Sequence, residues 1–139
     1  MKRMLLLLLI VLSFPVLCMG ESAIQSEGNM SYIITSEGAV IIDWNNQLPD
    51  VLDATLYVPP TLGGIPVVGI GFDAFDTCNE GPSTQFQLIL PEGITFLEKG
   101  AFQCCNQATV ISLPSTLETI PEGSSIHVTA EIVFPNGNP

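Results

Sequence analysis

The chain has 139 residues, with fourteen acids against three bases for a formal charge of −11, and 47% of its residues are apolar. That length suits one domain, and the apolar share is enough for a packed core, which argues against disorder. No cluster of Lys or Arg is present to hold a phosphate backbone or an anionic lipid surface, so neither nucleic acid nor an anionic membrane is an expected partner. The plain consequence of the acidity is solubility, with a cationic partner or a divalent ion as the minor alternative.

Residues 1–20 follow a targeting pattern. Lys2 and Arg3 form a basic start, residues 5–12 are an unbroken apolar run, Pro15 interrupts the hydrophobic stretch, and Cys18-Met19-Gly20 end it. The run is shorter than the roughly 20 residues a bilayer-spanning helix needs. The pattern predicts a signal peptide cut after Gly20, and therefore a secreted or cell-surface protein. A lipoprotein signal acylated at Cys18 is the competing reading, and Leu17 disfavours it because a small residue is wanted there. Without the leader, Lys99 alone faces fourteen acids, a formal −13.

Residues 21–54 read as a cap. Tyr32-Ile33-Ile34-Thr35 and Ala39-Val40-Ile41-Ile42 are separated by Ser36-Glu37-Gly38, the signature of a β-hairpin with glycine in its turn. A stack of strands needs its end strand and apolar flank covered, and this hairpin with Trp44 is suited to do so.

Residues 55–139 repeat. Leu88-Ile89-Leu90-Pro91 recurs 23 residues later as Ile111-Ser112-Leu113-Pro114, and Leu97 recurs as Ile120. An earlier copy begins at Leu56-Tyr57-Val58-Pro59, and its Ile70, Ala74, Phe75 and Cys78 match Leu97, Ala101, Phe102 and Cys105 at an offset of 27. The four extra residues fall near Gly63-Gly64 and Gly81-Pro82-Ser83, which read as loops. A decayed copy, Ile132-Val133-Phe134-Pro135, closes the series. Periods of 20 to 29 residues are those of leucine-rich repeats.

Each copy reads as an alternating strand stopped by proline, which cannot donate to a sheet ladder, followed by a short helical or irregular return around Ala-Phe. Stacked in register, Leu56 and Val58, Leu88 and Leu90, Ile111 and Leu113, and Ile132 and Phe134 form inward ladders. Phe75, Phe102, Ile94, Leu97, Leu117 and Ile120 are expected to pack behind them. The expected architecture is a short, curved, mostly β leucine-rich-repeat solenoid of the α/β type, with parallel strands and short helical returns behind a hairpin cap.

These residues resemble the BspA-like class of leucine-rich repeats, found on secreted and surface proteins of bacteria and some parasitic protists. The unit of that class reads as a strand ending in Ile-Pro, a variable stretch, an Ile, then Ala-Phe, two residues and Cys. Residues 88–114, LILPEGITFLEKGAFQCCNQATVISLP, follow it nearly throughout, and Ala74, Phe75 and Cys78 carry it in the preceding copy. The departures are Ala108 where leucine is usual, the extra Cys104 and a low repeat count. The resemblance spans residues 32–135 and implies recognition or adhesion, with no shared catalytic residues. A fold by itself does not name a ligand.

Three cysteines remain after cleavage. Cys78 and Cys105 hold the same repeat position and read either as a buried column of small thiols or as a disulfide between rungs, with Cys104 or Cys105 as the partner of Cys78. Cysteine-based catalysis would need a base beside the thiol. His127, the only histidine, alternates with Val128, Ala130, Ile132 and Phe134 and so faces outward. Asp73 and Asp76, with Asp43, Asp50 and Asp53 nearby, lack the spaced ligands and glycine of a calcium loop and read as solvated acids. No phosphate loop or zinc spacing is present. The expectation is therefore a protein without enzymatic activity, cofactor or metal.

The outward positions carry the functional expectation. With Leu56, Leu88 and Ile111 inward, Thr55 and Tyr57, Gln87 and Ile89, Val110 and Ser112, and Glu131 and Val133 form an outward strip. This strip is the candidate surface for a protein or glycan partner at a cell surface or in extracellular matrix. The competing reading is that β-branched residues suit strands wherever they point. The alternative function is a structural cap or remnant of a larger surface protein, and a thiol-dependent enzyme ranks third.

Overall fold

A computed structural model describes residues 23–45, 54–75, 85–103, 105, 107–124 and 130–135. The predicted leader, its cleavage point and Cys18 lie outside the described residues. Ten strands are described: β1 (Gln25–Glu27), β2 (Met30–Ile34), β3 (Ala39–Trp44), β4 (Ala54–Tyr57), β5 (Thr61–Leu62), β6 (Ile65–Ile70), β7 (Phe86–Ile89), β8 (Phe96–Leu97), β9 (Ala108–Ser112) and β10 (Glu131–Val133). They form two sheets. One runs β1-β2-β3-β6-β5 with β8 also on β6, and the other runs β10-β9-β7-β4.

The four-stranded sheet is the repeat made visible. β4 pairs β7, β7 pairs β9 and β9 pairs β10, all in parallel. Leu56, Leu88, Ile111 and Ile132 lie side by side across it. Proline sets the strand ends. The residue just before it donates its last amide to the following rung: Val58 N–H to Ile89 O at 3.0 Å, Leu90 N–H to Ser112 O at 3.0 Å, and Leu113 N–H to Val133 O at 2.9 Å. The next residue has no N–H to give, so the ladder stops there.

A second ladder forms behind the first. Gly69-Ile70 of β6 lies parallel to Phe96-Leu97 of β8, and Phe96 bridges Thr119 in parallel. Thr95 N–H donates to Val68 O at 2.9 Å and Glu118 N–H to Thr95 O at 2.9 Å, repeating the contact one rung on. The hairpin β2-β3 joins this ladder through a parallel β3-β6 pairing, and β1 adds an outer strand antiparallel to β2. The hairpin expected around Ser36-Glu37-Gly38 is thus present and lies against the first rung.

Both sheets contribute to one apolar cluster. Phe75, Phe86, Phe102, Leu88, Ile94 and Leu113 have no exposed surface. Phe86 stands between Ala54 on β4 and Ala108 on β9. A large ring between two small side chains fills that layer.

Two expectations need correction. No helix occurs among the described residues, and where the expected helical returns are described, at residues 72–75 and 99–103, they are turns. In the return after β8, Ala101 N–H donates to Glu98 O, Gln103 N–H to Gly100 O, and Cys105 N–H to Phe102 O, each three residues back. Gly100 sits in the left-handed region at φ 79°, so the helical bond pattern is broken before it can propagate past its costly first turn. The second correction is Ile120, expected to pack behind the strands, which is 45% exposed while Ile70 and Leu97 at the same repeat position are buried. No further rung among the described residues covers it.

Candidate functional site

The exposed side of the four-stranded sheet gathers the predicted strip. In successive rows Thr55 pairs Gln87, Gln87 pairs Val110 and Val110 pairs Glu131, while Tyr57 pairs Ile89, Ile89 pairs Ser112 and Ser112 pairs Val133. Neighbouring strands lie about 4.8 Å apart, so each row is a continuous line of side chains four strands wide. The rows stay in register because of a bulge. Phe86 faces Ala108 but Gln87 faces Val110, and the skipped Thr109 donates its hydroxyl to Phe86 O at 3.1 Å. That extra residue accommodates the change in repeat spacing without turning the inward ladder over.

Exposure is uneven along the strip. Tyr57 is 67% exposed, Thr55, Gln87 and Glu131 are exposed, and Ile89, Val110 and Val133 are half-buried. Ser112 is buried at 9% accessibility despite its outward register. The strip therefore offers an aromatic group, a hydroxyl and an amide at the β4-β7 end, an aliphatic middle, and one carboxylate at the β10 end. Glu131 is its only charged residue. In a chain this acidic, the patch is nearly neutral ground.

The other candidates do not converge. Among the described residues no three His, Cys, Asp or Glu side chains are grouped as a metal would require. Asp43 lies on β3 opposite Ser31. Asp73 occupies a turn at φ 55°, with one buried carboxylate oxygen that accepts no hydrogen bond. Asp50, Asp53 and Asp76 lie outside the described residues. Cys105 is buried at 3%; Cys78, Cys104 and His127 lie outside the described residues, so the rung-to-rung disulfide and the Cys–His pair are not placed. No helix among the described residues is long and apolar enough to cross a membrane.

Sequence reasoning missed a cleft of about 370 Å³ between the β1-β2 turn and the loop after β4, where Met30, Trp44, Pro59 and Leu62 meet Glu27 and Asn29. It gave no signal because its walls come from segments about thirty residues apart.

Solved structures share this architecture. A leucine-rich repeat protein of T. pallidum superposes with a TM-score of 0.64 at 23% identity, over 82% of this chain and 51% of that one. The fold is that of leucine-rich-repeat proteins. A leucine-rich repeat protein from Bacteroides capillosus matches with a TM-score of 0.55 at 17% identity, over 81% of this chain and 97% of that one. At these identities the likeness is one of fold. The chain spans about half the length of the T. pallidum protein. No family model and no curated protein matches the chain.

Proposed function

We propose that this chain is an exported leucine-rich-repeat module of the BspA-like kind, a short curved solenoid that recognises a protein or glycan partner non-covalently and catalyses nothing. One observation carries the reading: the four-stranded face holds a 67%-exposed tyrosine beside exposed Thr55 and Gln87, with half-buried aliphatic groups next to them and charge confined to Glu131 at one end. Recognition surfaces keep charge out of their centres and use aromatic anchors, and this face follows that pattern. The leader pattern of residues 1–20 supports export.

The test is binding of the mature protein, residues 21–139, to an array of extracellular glycans and a panel of cell-surface and matrix proteins, alongside a Tyr57→Ser/Ile89→Ser double variant. The variant folds, since neither side chain is in the buried cluster, and it loses the partner that the parent retains. Equal binding by the two proteins rules out the strip as the site.

A second reading, a structural cap or remnant of a larger surface protein with no ligand of its own, is favoured by the small face that four short strands present. Stable interfaces bury about 800 Å² per partner. Absence of any partner for the intact mature chain would select it.

A further inference from the structure

Asn29-Met30-Ser31 is the only Asn-x-Ser/Thr triplet in the sequence. Glycan transfer needs the amide of such an asparagine with a hydroxyl two residues on, and the finished fold must leave the asparagine at the surface. The triplet falls on the turn of the outermost hairpin, where Glu27 faces Met30 and Ser26 faces Ser31 across β1 and β2. The connection is two residues long, with Gly28 at φ 59° and Asn29 outside the left-handed region, as in a type II′ turn. Asn29 is exposed, and a carbon added at Gly28 would meet no atom within 4 Å. The main chain is held in place, because Asn45 N–H donates to Asn29 O at 2.8 Å and the Glu27 carboxylate accepts from Gly63 N–H. A turn fixed at its base and open around its tip can carry a bulky group without disturbing the stack.

From this placement we infer that Asn29 is an acceptor for an N-linked glycan, an inference that rests on the export reading above. In the transfer, Nδ2 of Asn29 attacks C1 of the first sugar of a polyprenyl-pyrophosphate-linked oligosaccharide. The C1–N bond forms, the bond from C1 to the pyrophosphate oxygen breaks, and the amide proton leaves with the pyrophosphate. The location gives the glycan work to do. β1 is the outer strand of its sheet, its three residues are all exposed, and Ile24 just ahead of it is 67% exposed. Such an edge is a template for another chain to pair with, and a glycan on its turn blocks that approach.

The test is secretion of the full chain from cultured animal cells, once with its own leader and once behind a heterologous one, with intact mass read before and after peptide-N-glycosidase treatment. The protein secreted behind the heterologous leader gains the mass of one glycan, and the enzyme removes it. Asn29→Gln abolishes the gain, Ser31→Ala abolishes it although Asn29 remains, and Ser31→Thr keeps it. Melting temperatures of the variants that match the deglycosylated parent show that the fold is intact. An unmodified parent secreted behind the heterologous leader overturns the inference. Failure of the native leader alone to deliver product to the medium overturns the export reading and leaves the Asn29 result standing.

Discussion

The two ends of the stack are built from the same kinds of residue and are closed differently. At the first rung, β3 lies against β6, and Trp44 packs its ring on Phe75 at 5.0 Å between centroids. Phe75 in turn stacks on Phe102 at 5.4 Å, and Ile41 and Ile70 are fully buried. At the last described rung the register persists but the side chains are more exposed. Along the second ladder, exposure runs from 0% at Ile70 through 4% at Leu97 to 45% at Ile120. Along the first, Leu88 and Ile111 are buried while Ile132 is half-buried. An aliphatic residue at a repeat position is therefore not core by its own chemistry. It becomes core when the following rung lies on it, which is the nearest-neighbour logic of stacked repeats.

The sharpest way to break that comparison is to truncate one ladder position at both depths. Leu88→Ala removes a fully buried side chain and leaves a cavity, at a cost of about 2–5 kcal/mol. Ile132→Ala, with solvent already on one side, costs about 1 kcal/mol. Urea unfolding of residues 21–139 reads both, and equal losses would mean that the last rung is as well covered as the middle ones.

A smaller effect tests how rungs are tied at their turns. The Glu92 carboxylate accepts from Ser115 N–H at 3.1 Å, Ser115 Oγ at 3.0 Å and Thr116 N–H at 3.2 Å, all on the next rung. Because the group is exposed, water competes for it, and Glu92→Ala costs about 1 kcal/mol. Melting of the variant checks this; an unchanged midpoint would show that water replaces the carboxylate fully.

The smallest effect carries the opposite sign. Asp73, Gly100 and Gly123 form a column of left-handed residues, at φ 55°, 79° and 81°. Asp73 N–H donates to Gly100 O and Gly100 N–H to Gly123 O. Asp73 alone in this column carries a Cβ in that conformation, and its buried carboxylate oxygen lacks a hydrogen bond. Asp73→Gly relieves both, less the entropy glycine loses on folding, for a net gain of about 0.5 kcal/mol. A lower unfolding midpoint would show that the carboxylate is stabilising where it stands.

Much of the strip was legible in advance. The 23-residue offset and the prolines placed Thr55, Gln87, Val110 and Glu131 in one row and Tyr57, Ile89, Ser112 and Val133 in the next, as the pairings have them. The bulge at Thr109 did not disturb this, because the repeat spacing already contained the extra residue. The burial of Ser112 was not legible, since alternation states which side a residue faces and not what lies beside it. The turns in place of helical returns were hidden for a related reason: Ala-Phe segments favour either, and the left-handed Gly100 decided between them.

What the amino-acid order determined by itself was the unit and its punctuation. Alternating apolar residues make a strand, proline withholds the next amide, and a fixed offset puts like on like; all three are local properties of the covalent chain. What only the tertiary structure decided was depth: which rung is covered, that a second ladder forms behind the first, and that a cleft opens beside Trp44. Burial is a property of neighbours brought together from distant parts of the chain, and no single residue encodes it.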